Sequence, residues 1–110
     1  MLATCKLPGT PPSVRPSAIV LNCGDGNAFL GHLVWLSWTP STATATGIHT
    51  YNTCHPGCAK GTFVSTQASV RLDYPVRTGA GVEFGGISFT YPSASGGYYT
   101  ETTPAPTSPG

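Results

Sequence analysis

Apolar and polar residues alternate with a period of two along most of this chain, and turn residues interrupt the alternation about every ten positions. Ala68, Val70 and Leu72 fall on one face of a segment from Phe63 to Tyr74. Ile87, Phe89 and Tyr91 fall on one face of a segment from Val82 to Tyr91, which Gly85-Gly86 is expected to kink. Phe29 to Trp38 reads as a strand ended by Pro40-Ser41. Ser17 to Cys23 is β-branched and apolar and stops at Gly24-Asp25-Gly26-Asn27, where Gly and Asn accept the positive φ of a tight turn. Ala43 to Thr53 alternates Thr with small residues, a strand in which Gly47 suits a bulge. Thr78-Gly79-Ala80-Gly81 reads as a turn. No segment carries a 3.6-residue apolar period with helix caps.

Short strands punctuated by Gly and Pro predict an all-β fold, a small antiparallel β-sandwich of immunoglobulin-like or similar type, over residues 17–95. Residues 1–16 contain Pro8, Pro11, Pro12 and Pro16 and read as an extended Pro-rich arm, because Pro suits neither a helix interior nor a central strand. From Gly96 the alternation fades, and residues 96–110 read as a Thr/Pro-rich flexible tail with Glu101 as its one charge.

Composition sharpens this picture. A chain of 110 residues is one domain and buries roughly 65% of its unfolded surface. Charged residues make up 8%, against about 25% in an average soluble domain, so Ser, Thr, Asn and backbone must supply the polar surface. That balance suits a secreted β-protein. Net charge is +1 and the five Lys and Arg are scattered, which speaks against a nucleic-acid surface, since counterion release needs them clustered. No window approaches the ~18 apolar residues of a membrane span. Met1-Leu2-Ala3-Thr4 lacks the basic and apolar regions of a signal peptide, so an exported form is expected to derive from a longer precursor.

Four cysteines, Cys5, Cys23, Cys54 and Cys58, fit two disulfides. Pro56-Gly57 provides a turn that brings Cys54 and Cys58 within bridging distance, and Cys5–Cys23 would then pin the Pro-rich arm. In the chain-entropy view the bridges contribute about 2 and about 3 kcal/mol. Four cysteines allow three pairings, so this connectivity is an expectation. Zinc is the weaker reading, because Cys5 and Cys23 make a poor second ligand pair beside Cys54 and Cys58.

The stretches Pro16-Ser17-Ala18-Ile19-Val20-Leu21-Asn22-Cys23-Gly24-Asp25-Gly26, Trp35-Leu36-Ser37-Trp38 and Asn52-Thr53-Cys54-His55-Pro56-Gly57-Cys58-Ala59-Lys60-Gly61 together resemble a pattern found in small secreted actinobacterial proteins of unknown function. The likeness covers roughly residues 16 to 90; Val34 and Leu36 stand where that family often has small polar residues. The resemblance implies export and a disulfide-bearing domain, and implies no reaction.

Candidate chemistry is sparse. Asp25, followed by Asn27, has a calcium-ligand spacing, but no acidic ligand follows in register, and a turn whose side chains satisfy local amides accounts for both. A glycosidase pair of Asp25 with Asp73 or Glu83 has no motif behind it. His32, His49 and His55 would make a metal site only if the fold brought them together. No Gly-x-Ser-x-Gly elbow is present. Trp35 and Trp38, three apart on one strand, are expected to face opposite sides, one in the core and the other exposed or under the arm. An exposed Trp with neighbouring tyrosines would stack on a sugar or a partner protein.

The reading is therefore a secreted, disulfide-stabilised binding or structural module of the cell envelope or extracellular space. It is not an enzyme, has no catalytic residue, metal or cofactor, and has a protein or a cell-envelope glycan as partner. Its candidate binding surface is Trp35, Trp38, Tyr51, Asp25 and His55. An extracellular enzyme inhibitor or effector presenting the Cys54–Cys58 loop is the alternative, and a small metal-assisted hydrolase the third.

Overall fold

The computed structural model describes residues 2, 14–21, 28–53, 57, 59, 61–93 and 96–105. They form an all-β structure of six strands: β1 (Ile19–Val20), β2 (Ala28–Trp38), β3 (Ala43–Asn52), β4 (Phe63–Thr78), β5 (Gly81–Pro92) and β6 (Tyr98–Pro104). Every strand pairs antiparallel with its neighbour in sequence, giving one sheet in the order β1-β2-β3-β4-β5-β6. The expected two-sheet sandwich is thus replaced, among the described residues, by a single curled meander. The four cysteines lie outside the described residues.

One face of the sheet carries the core. Its inward positions are Ala43, Ala45 and Gly47 on β3, Ala68, Val70 and Leu72 on β4, and Ile87 and Phe89 on β5, as the register pairs them. Leu2, Ile19, Leu30, Leu33, Phe84 and Ala105 join them in one buried cluster. The sizes are unequal in a telling way. The middle of β3 offers only methyl groups and a hydrogen, while β2 on one side offers Trp38, Trp35 and Leu33. In a flat sheet β2 and β5 stand about 14 Å apart, three strand spacings. Here the rings of Trp38 and Phe84 meet edge to face at 5.4 Å between centroids. The sheet curls over its small-residue centre until the outer strands' aromatics touch.

Two bulges in β2 tune this packing. Gly31 pairs with Ile48 and Val34 with Thr46, so His32 and Leu33 together face the single residue Gly47. Leu33 turns inward, and His32 takes φ 49°, a left-handed conformation uncommon for a residue with a side chain. Gly47 is required there: a Cβ would lie 2.7 Å from the Gly31 carbonyl oxygen and 2.7 Å from a Leu33 methyl. The second bulge inserts Leu36 between Trp35, paired with Ala45, and Ser37, paired with Thr44. That extra residue reverses the alternation, so both tryptophans face inward, edge to face at 4.8 Å. The expectation that they point to opposite sides fails for this reason. Trp35 Nε1 donates to the Pro16 carbonyl oxygen at 2.8 Å, tying the end of the N-terminal arm to the core.

β5 keeps its register with β4 through Gly85-Gly86, pairing Gly86 with Asp73 and Phe84 with Pro75, so the ladder carries no bulge where a kink was expected. Phe84 and Ile87, three apart, are both buried. A side chain at Gly86 would meet Asp73 Oδ1 at 2.6 Å and the Tyr74 ring at 2.7 Å. Beyond Leu72, β4 pairs only with β5, which leaves Pro75 on an edge where its missing N–H costs nothing. The segment expected to be an unpacked tail is instead β6, paired with β5 from Gly86↔Pro104 to Pro92↔Tyr98, and Ala105 beyond it is buried.

The bulge geometry sets a face-specific expectation. Gly47→Ala overpacks the bulge and lowers unfolding free energy by about 1–3 kcal/mol. Thr46→Ala, next to it on the opposite face, shifts it by less than about 0.5 kcal/mol. Urea unfolding of both variants checks this; equal effects would show that Gly47 does not set the packing.

Candidate functional site

The sequence-derived candidates separate onto different surfaces. Trp35 and Trp38 are partly buried against the core, and Tyr51 lies on the same inner face, stacked on His49 at 5.0 Å. Asp25 and His55 fall outside the described residues. His32 is exposed on the outer face, whereas His49 on the inner face is only 2% exposed, so the fold does not join these two histidines. Among the described residues no three His, Cys, Asp or Glu side chains converge. The carboxylates are separately engaged: Asp73 lies 3.6 Å from Arg71, Glu83 accepts from the Thr78 hydroxyl at 2.6 Å, and Glu101 accepts from Tyr91 at 2.8 Å.

The inner face ends in an aromatic box. Register brings His49 beside Leu30 on β2 and Thr66 on β4, and the small Ala68 and Thr66 let aromatics from β5 lean across. His49 contacts Phe89 at 4.8 Å and Tyr91 at 4.7 Å between ring centroids, besides Tyr51. Its Nδ1 is buried without a hydrogen-bond partner. Burial disfavours the imidazolium and holds the His49 pKa below its ordinary value, with Glu101 pulling weakly the other way. Burial and the Glu101 hydrogen bond raise the Tyr91 phenol above its ordinary range. This box is a core element built around a buried imidazole.

The outer face is different in kind. Alternation places Ser37, Thr44, Thr50, Ser65, Ser88, Thr90, Thr100 and Thr102 there, and hydroxyls directly across from one another pair up. Ser37 bonds Thr44 at 2.7 Å, Thr50 bonds Ser65 at 2.9 Å, Thr90 bonds Thr100 at 2.8 Å and Ser88 bonds Thr102 at 3.3 Å. Between these paired hydroxyls lies an open groove of about 780 Å³. It runs across the strands from His32 on β2 through Thr46 and Ile48, Gln67 and Ser69, and Thr90, to Tyr98 on β6. A second hollow of about 350 Å³ adjoins it, lined by Leu36, Ser88 and Arg71 among others. Val34 and Leu36, 61% and 69% exposed, flank the face on the β2 side.

Sequence reasoning missed this surface, although its signal was present. Thr44-x-Thr46, Ser88-x-Thr90 and Thr100-x-Thr102 repeat a hydroxyl at every second position on three strands. The bulge that aims His32 outward left no comparable trace. Comparison of the chain with protein-family models, with curated proteins and with solved structures finds no match.

The buried imidazole sets a pH dependence. The unfolded chain binds a proton at His49 near pH 6.5, and the folded protein only at lower pH. Stability is therefore complete above about pH 6.5 and falls as pH drops through the lower folded value. Urea midpoints are expected to fall between pH 7.5 and pH 5, and His49→Phe, which keeps the ring stack, is expected to flatten that dependence. An unchanged pH profile in the variant would remove His49 from this role.

Proposed function

We propose that this protein is a secreted, disulfide-stabilised binding module of the cell envelope or extracellular space that works without catalysis and meets its partner through the outer face of its sheet. The observation that carries the reading is the open groove of about 780 Å³ on a face whose opposite side is consumed by the core. A charged fraction of 8% and an even number of cysteines support an extracellular setting, where disulfides persist. Asp73, Glu83, Glu101 and His49 are each engaged in an ion pair, a hydrogen bond or the aromatic stack, an arrangement that suits structure better than proton transfer.

Two measurements test it. Thiol titration of the denatured, unreduced protein is expected to find essentially no free thiol, and two or more would end the disulfide reading. Sedimentation with an envelope preparation is expected to carry the native protein into the pellet. Ser69→Trp, which fills the groove floor from β4, is expected to leave it in the supernatant with an unchanged circular dichroism spectrum. Equal sedimentation of the two would take the groove out of the contact surface.

A further inference from the structure

The groove differs from the face around it in one respect. Elsewhere on the face, hydroxyls satisfy one another in cross-strand pairs. Inside it, Thr46 and Ser69 stand directly opposite on β3 and β4, yet neither hydroxyl, nor the Gln67 amide, nor the His32 ring, bonds another side chain among the described residues. These groups offer both donors and acceptors to whatever fills the groove. Among the described residues no carboxylate, ammonium or guanidinium lines it. Arg71 lies in the adjoining hollow and is held by Asp73. At the β6 end stands Tyr98, 78% exposed, next to the Gly96-Gly97 turn.

We infer that this groove binds an uncharged glycan chain, with Tyr98 as the stacking platform and His32, Thr46, Gln67 and Ser69 as the hydrogen-bonding floor. The inference rests on the binding reading above and names its ligand class. Three properties select it. A described lining without Lys or Arg gives a polyanion no permanent cation to pair with. A hydroxyl-rich centre is the reverse of a protein-binding hot spot, where aromatic anchors and Arg cluster and Ser is depleted. A sugar presents alternating hydroxyls and an apolar C–H face, which match an unpaired hydroxyl and amide floor beside an open tyrosine ring. The groove crosses five strands, about 19 Å at ordinary strand spacing, and is open along its length, so it fits several linked sugars in preference to one. The left-handed backbone at His32 belongs to the same device: strain at the bulge is retained where it aims a polar ring into the site.

Affinity gel electrophoresis of the full chain tests this, using soluble mannan, dextran, galactan and hydroxyethylcellulose, with heparin as a polyanion. At least one neutral polymer is expected to retard the protein and heparin is not. Tyr98→Ala is expected to weaken that retardation about tenfold and Tyr98→Phe to preserve it. His32→Gly is expected to raise the melting temperature while weakening retardation, a split that loss of folding cannot produce. No retardation by any neutral polymer, preference for heparin, or full retardation of Tyr98→Ala overturns the inference. If the native protein still sediments with envelope, Ser69→Trp does not, and protease treatment of the envelope abolishes the difference, the partner is a protein: the binding reading then stands and the glycan assignment falls.

Discussion

The structure depends on an absence of bulk. Ala43, Ala45 and Gly47 line the inner face of β3, and Ala68 lies beside Gly47 on β4. Had these been ordinary strand residues such as Val or Ile, the sheet would stay open and its inner face would need a second layer. Because they are small, β2 and β5 approach over them, and Trp38 reaches Phe84 across three strand spacings. A single sheet then covers its own apolar face, with Leu2 and Ala105 filling in from the two ends of the described chain. The bulges in β2 follow from the same requirement. One lets Leu33 descend onto Gly47, and the other turns Trp35 and Trp38 to the same side.

This arrangement assigns the two faces opposite jobs. The inner face takes the buried apolar cluster and the polar groups that come with it, including a neutral histidine among aromatic rings. The outer face carries rows of hydroxyls and the Gln67 amide, with Ile48, Leu36 and Tyr98 among them. Paired hydroxyls gain the modest stability of cross-strand contacts, and the unpaired ones mark the groove. A protein with so little charge needs such a face to remain in water.

Much of the fold was legible in the sequence. Strict alternation located β4 and β5 and the face each buries, Pro40-Ser41 ended β2, and Gly47 marked the place of a bulge that the structure contains. Three features were not legible. Alternation tells which face of a strand is buried but not what covers it, so one curled sheet and two packed sheets read alike. A bulge changes the count by one residue without a compositional sign, and Leu36 therefore sent Trp38 to the wrong side. Tyr98 to Pro104 has the Thr and Pro content of a linker, and its strand character comes from the pairing partner β5 offers. The bulge at Leu36 also bears on the candidate surface: it turns both Trp35 and Trp38 inward, where they are partly buried, so neither is the freely exposed ring that was expected.

The strictly sequential order of the strands has a consequence for how the molecule assembles. Each ladder closes between segments adjacent in the chain, so no strand waits for a distant partner, and the loop-closure cost is met in small steps. Such a topology has low contact order for a β-protein, which favours fast folding. The β3–β4–β5 ladders are the longest, and β6 extends them at one edge. It is β6 that brings Glu101 to Tyr91 and Tyr99 to the aromatic box, and Tyr98 to the groove. This edge strand therefore contributes both to the buried histidine's surroundings and to the solvent-side groove, and any local opening of that edge would undo both together.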